Sequence, residues 1–160
     1  MANFIVGTVE NIEVKGIYQE SVFDADLKLR HSSGYELTIF DGIHQLSQEL
    51  SLGEVYEVLL VPLVVTQANY FSSPIANPDS GLNGLIIELK WSPRSLSYKF
   101  SVPELYQDYH GNDRTWILVQ TSFGDVIISH SEIKEKVQGN IDVGGFLQWQ
   151  ASRLDLYAVV

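Results

Sequence analysis

Residues 23–39 read FDADLKLRHSSGYELTI. Phe23, Ala25, Leu27 and Leu29 alternate with Asp24, Asp26, Lys28 and Arg30; Tyr35, Leu37 and Ile39 resume the alternation after His31-Ser32-Ser33-Gly34. A strand sends successive side chains to opposite faces, so period-two alternation marks one buried face and one wet face. A polar tetrad ending in glycine between two such runs is turn chemistry. The stretch predicts a β-hairpin, and with it a mainly β protein.

Working outward, Asp41 offers an N-cap, and Ile43, Leu46 and Leu50 follow at helical spacing until Gly53. Residues 54–60 and 63–70 read as strands that turn at Val61-Pro62. Phe4 to Val14 opens the set, with Gly7 as a candidate bulge. The same order returns ninety residues later. Trp116 to Thr121 and Val126 to Ile128 flank the turn Ser122-Phe123-Gly124-Asp125, and Ser129 with Glu132 forms a capping box for a second short helix through Ile133 and Val137. Residues 145–150 and 154–160 then read as a closing hairpin around Ala151-Ser152, and residues 154–160 as an ordered strand. Leu96 to Val102 supplies the opening strand. At an offset of ninety, Leu27 meets Ile117, Leu29 meets Val119, Gly34 meets Gly124 and Tyr56 meets Phe146, which predicts an internal duplication.

The order strand–strand–strand–helix–strand–strand resembles the OB-fold, a small Greek-key barrel, at the level of fold. That resemblance implies two OB-like barrels in tandem with two short helices: residues 1–71, a linker or long loop at 72–84, and residues 85–160. Units of under eighty residues have thin cores, so the two should pack together and unfold as one. Leu85 to Trp91 is an extra strand that bridges them. The alternative architecture is one continuous β-sandwich or barrel.

Composition bounds the function. Of 160 residues, 45% are apolar and 19% charged, a globular balance. The longest apolar run, Val58 to Val65, falls far short of the ~20 residues needed to cross a bilayer. No leader peptide is visible, and the expectation is a cytoplasmic protein with no membrane role. The absence of cysteine excludes disulfides, zinc–thiolate sites and thiol nucleophiles. Net charge is −10, concentrated in residues 1–80, where eleven acids face three bases (Lys15, Lys28, Arg30) for a net of −8. That half repels a phosphate backbone.

No nucleophile elbow, phosphate-binding loop or zinc-binding helix motif occurs, and the histidines (His31, His44, His110, His130) are scattered. Asp24 and Asp26 share a strand face about 6.5–7 Å apart, but that face continues into Lys28 and Arg30 as an ordinary wet side. His110-Gly111-Asn112-Asp113 is plain turn chemistry. The expectation is therefore no enzyme, no catalytic or metal-ligating residues and no cofactor. Basic and aromatic residues interleave from 90 to 116, where Lys90, Trp91, Arg94, Lys99, Tyr106, Tyr109 and Arg114 are the candidate partner-binding residues. Cations there could meet phosphates while rings stack on bases, although the alternation of Tyr98, Phe100 and Val102 favours core positions. The leading expectation is a non-catalytic binding module for a macromolecule, a protein above all; the alternative is single-stranded nucleic acid at residues 90–116. Leu63-Val64-Val65 and Leu154 to Val160 are candidate edges for pairing between copies of the chain.

Overall fold

The computed structural model describes residues 2–18, 21–42, 46–74, 82–93, 96–101 and 115–160. Among them, nine strands belong to a single sheet. They are β1 (Ile5–Tyr18), β2 (Ser21–His31), β3 (Glu36–Asp41), β4 (Val55–Phe71), β5 (Gly84–Trp91), β6 (Phe100–Ser101), β7 (Trp116–Thr121), β8 (Gly124–Ser129) and β9 (Phe146–Val159). The hairpin read from residues 23–39 is β2–β3, in register from Ala25↔Asp41 to Arg30↔Glu36.

Both halves of the chain repeat one pairing pattern. β1 runs antiparallel to β2 and β2 to β3, and β4 returns alongside β1. β5 runs antiparallel to β7 and β7 to β8, and β9 returns alongside β5. The two returning strands then pair with each other, from Val58↔Val159 to Phe71↔Phe146. A parallel pairing at Phe40↔Asp155 joins β3 to β9 and closes the ring β1–β2–β3–β9–β4. A parallel bridge at Phe4↔Asp125 joins the start of the chain to β8 and closes a second ring through β7, β5, β9 and β4.

The strands form a single sheet and do not confirm two barrels in tandem: the first ring takes its fifth strand from β9. The expected turns at Val61-Pro62 and Ala151-Ser152 are absent for the same reason. β4 has 17 residues and β9 has 14, far beyond the usual 5–6, because each spans both rings. Pro62 lies opposite Leu154 and the ribbon bends instead of turning, with Val64 at φ 56 and a register shift between Val65 and Gln67. Positive φ at a β-branched residue is strained, and bulges tolerate it. The proposed inter-chain edges are both paired inside this ribbon: Leu63 lies opposite Arg153 and Val65 opposite Ala151, while Leu154 to Val159 lie opposite Pro62 to Val58.

Local signals account for the rest. Ser129 caps the helix α1 (His130–Lys136), its Oγ accepting from the Glu132 amide at 3.5 Å as the capping box requires. In the first half the described residues form a 3-10 turn, Ser47–Glu49, and residues 43–45 of the expected helix lie outside the described residues. Gly7 is not at a register shift; a Cβ there would sit 2.6 Å from Leu29 Cγ, so close packing of β2 explains it. Of the expected strand 96–102 only Phe100–Ser101 forms, held beside β9 by Lys99 N–H donating to Val159 O at 2.8 Å; Val102 is not described. No helix of the described residues is long and apolar enough to cross a membrane.

The core runs through both halves without a break. One cluster joins Ile5, Leu27, Leu29 and Ile39 to Ile86, Val119, Val126, Ile133 and Leu147. On the other side of the same strands, Phe4, Trp91, Trp116 and Tyr157 form a second cluster. Val58 and Leu60 face the first while Leu59 and Val61 face the second, so the middle of β4 is buried on both faces. Continuous apolar runs are what such a strand needs.

A shared core predicts a single calorimetric transition, whereas two separated transitions would contradict it. Gly124, at φ 134 with Ile5 backbone atoms 2.9 Å from the site of a Cβ, fits where the second ring closes. Gly124→Ala should cost about 2–4 kcal/mol in urea unfolding.

Candidate binding groove

Residues singled out by sequence fall into three groups. Trp91 is 8% exposed, lies opposite Trp116 and meets Phe4 edge-on at 5.9 Å, so it is a core residue. Lys99 is exposed, with Nζ 5.5 Å from the Tyr56 ring centroid and 5.8 Å from that of Phe100; both rings hold the cation against the surface. Lys90, at the exposed end of β5, lies near His130, whose pKa is lowered by burial first and then by Lys134 and Lys90. Arg94, Tyr106, Tyr109 and Arg114 lie outside the described residues, as does the 110–113 cluster. Asp26 pairs with Lys15 at 3.6 Å. No three His, Asp or Glu side chains among the described residues converge to hold a metal ion.

A different site emerges where β3 meets β9. The two strands pair only at Phe40↔Asp155 and then diverge, leaving a groove of about 710 Å³ between them. Ligand sites commonly fall within ~300–1,000 Å³. Tyr35 to Thr38 forms one wall, and Gln148 to Leu154 forms the other. Pro62, Gln67 and Asn69 of β4 and Leu82 and Asn83 before β5 complete the lining.

The floor carries carboxamides. Gln67 lies directly opposite Gln150, and Asn69 opposite Gln148, so all four share one face of the β4–β9 ribbon. The intervening Ala68, Tyr70, Leu147 and Trp149 turn the other way, onto the core. Each amide offers two donors and an acceptor without net charge. Sequence reasoning did not single out these residues. The signal was there in two amide pairs at i, i+2 spacing, but only the long-range pairing of β4 with β9 brings them together.

At the closed end, the Arg153 guanidinium grips Asp155 through Nε–Oδ1 at 2.6 Å and Nη2–Oδ2 at 3.0 Å. Its plane lies over the Phe40 ring, 4.5 Å from the centroid. Beside it Asp41, 1% exposed, accepts a hydrogen bond from the Ser47 backbone N–H at 2.7 Å. Asp155 is also 1% exposed, and burial raises its pKa above the usual carboxylate range; Arg153 opposes that rise and Asp41 adds to it. At the open lip, Tyr35 stacks on Phe123 at 4.5 Å, and His31 meets the same ring edge-on at 5.3 Å. Phe123 belongs to the β7–β8 turn, so the lip of the first ring rests on the second.

The closing cluster has a pH signature. Because the Asp155 pKa is raised in the folded chain, its contribution is fully present below the ordinary value of 3.8 and is lost as pH rises through the raised value. Removing the guanidinium leaves that carboxylate uncompensated. Arg153→Met should therefore cost about 2–3 kcal/mol at pH 7, less than a wholly buried pair because Arg153 is 34% exposed. The loss should shrink as pH falls towards 4, and a loss independent of pH would contradict this role.

Comparison of the chain with protein-family models, with curated proteins and with solved structures gives no match.

Proposed function

We propose that this chain is a non-catalytic binding module whose partner is a protein, held in the groove between β3 and β9. The observation that carries the reading is the divergence of these two strands from their single pairing at Phe40↔Asp155, which leaves a lined groove in an otherwise continuous sheet. Strand edges offer backbone donors and acceptors, and carboxamides, hydroxyls and an aromatic lip suit polypeptide, whose own groups are of the same kind. We read each ring as an OB-like barrel whose fifth strand comes from the other half, in a cysteine-free chain suited to a cytoplasmic setting.

Charge favours protein over nucleic acid. Each base of residues 1–80 already holds an acid: Lys15 with Glu13 at 3.2 Å, Lys28 with Glu36 at 3.5 Å and Arg30 with Glu10 at 2.9 Å. In the groove, Arg153 is occupied by Asp155. Strong phosphate binding needs cations that can displace counterions, and these are committed elsewhere.

The test compares two variants: Gln67→Lys/Gln148→Lys/Gln150→Lys in the groove, and Lys90→Glu/Lys99→Glu in the basic region. Proteins captured by the immobilised chain should be lost with the first and retained with the second, and a mixed-sequence single-stranded oligonucleotide at low salt should not bind. Micromolar oligonucleotide binding that is abolished by Lys90→Glu/Lys99→Glu, and that weakens with salt by about 0.7 log units per phosphate contact, would overturn the reading.

A further inference from the structure

We propose that the partner's segment enters the groove as a β-strand inserted between β3 and β9, antiparallel to both, over about six or seven residues. This rests on the groove being the protein-binding site and specifies how the site works.

The pairing pattern sets the frame. Among the described residues, β9 from Gln148 to Leu154 pairs only with β4, and β3 from Glu36 to Ile39 pairs only with β2. Among the described residues each strand therefore has one unpaired edge, and both strands line the groove. Gly84↔Leu147 bounds the free stretch of β9 at one end, and Phe40↔Asp155 bounds it at the other. Seven residues at ~3.3 Å each span about 23 Å, the length of one short strand. Bare edges of this kind normally threaten aggregation and are blunted or covered. Here both line one groove, so a flat neighbouring sheet is excluded while a single extended chain can enter.

Direction follows from the frame. β3 and β9 run parallel where they meet. A strand between them is therefore antiparallel to both or parallel to both. Antiparallel ladders have the straighter, slightly stronger bonds. The segment's N-terminal end then lies at the closed end beside Phe40 and Asp155, and its C-terminal end lies by Leu147.

Charge sets the side chains. Glu36 is held by Lys28 at 3.5 Å and Arg30 at 3.7 Å, and Arg153 by Asp155 at 2.6 Å. What its two neighbouring strands leave for the segment is Thr38, Gln148 and Gln150, with Gln67 and Asn69 one strand further along the same face. An ionised residue facing them would lose water without gaining a counter-charge, so uncharged polar residues fit that face.

The experiment uses a synthetic peptide, the tightest binder selected from a random display library on the folded chain. Its internal backbone amides are N-methylated one at a time, and affinity is measured by calorimetry. Over the stretch flanked by both Glu36 to Ile39 and β9, successive N–H groups point to β3 and β9 in turn, so every methylation within it should weaken binding about tenfold or more. A nitroxide at the peptide's N-terminus should broaden the amide signals of Phe40 and Asp155, and one at the C-terminus that of Leu147. Loss at alternate positions only means addition to one edge, and reversed broadening means a parallel strand; either overturns the proposal. Tolerance of all methylations, with binding still lost in Gln67→Lys/Gln148→Lys/Gln150→Lys, overturns strand insertion but leaves the groove as the protein site. Full affinity for that variant overturns both, and a library that yields no binder overturns strand insertion.

Discussion

The antiparallel pairing of β4 with β9 is the constraint on which the rest depends. Twelve matched positions from Val58↔Val159 to Phe71↔Phe146 bind the return strand of one half to that of the other. Neither ring closes without it: β9 is the neighbour that β3 needs, and β4 is the strand through which the second ring runs back to β1. The ribbon also decides burial. Val58 to Val61 and Leu156 to Val159 have apolar neighbours on both sides, which places them at the centre of the molecule although they come from opposite halves of the chain.

The same ribbon carries the groove. α1 follows β8 and packs against β4 and β8. In the first half the described residues at the corresponding place after β3 form a 3-10 turn at Ser47–Glu49. The register shift after Val64 separates the amide-bearing end of the ribbon from the stretch that meets β3. The Arg153–Asp155 pair, with the guanidinium on Phe40, holds the two strands together at their one point of contact. Groove and closure are two ends of one wedge.

How much of this was legible in the sequence follows from how local each signal is. The β2–β3 hairpin was readable because its wet face carries Asp24, Asp26, Lys28 and Arg30, giving a clean alternation. α1 was readable from Ser129 and Glu132 alone. Pro62 and Ala151-Ser152 were misread as turns because their local chemistry suits a turn; only the strand opposite, ninety residues away, shows a bend. Strand exchange between the halves leaves no local trace at all, since the pattern that makes β9 a good partner for β4 would make it an equally good strand within its own half. The groove was hidden for the same reason: Gln67, Asn69, Gln148 and Gln150 look like solvent-facing positions until their two strands are laid side by side. Trp91, attractive as a stacking platform, is held inside by Phe4 and Trp116.

Native-state hydrogen exchange followed residue by residue tests the shared ribbon most directly. If β4 and β9 are the common wall of both rings, the amides of Leu59 to Val61, Leu156 to Val159 and Ile117 to Val119 should exchange only through global unfolding, with one opening free energy. If instead the strands of residues 1–71 open together at a distinctly lower free energy while those of 115–160 stay protected, the halves are separate units and the account is wrong.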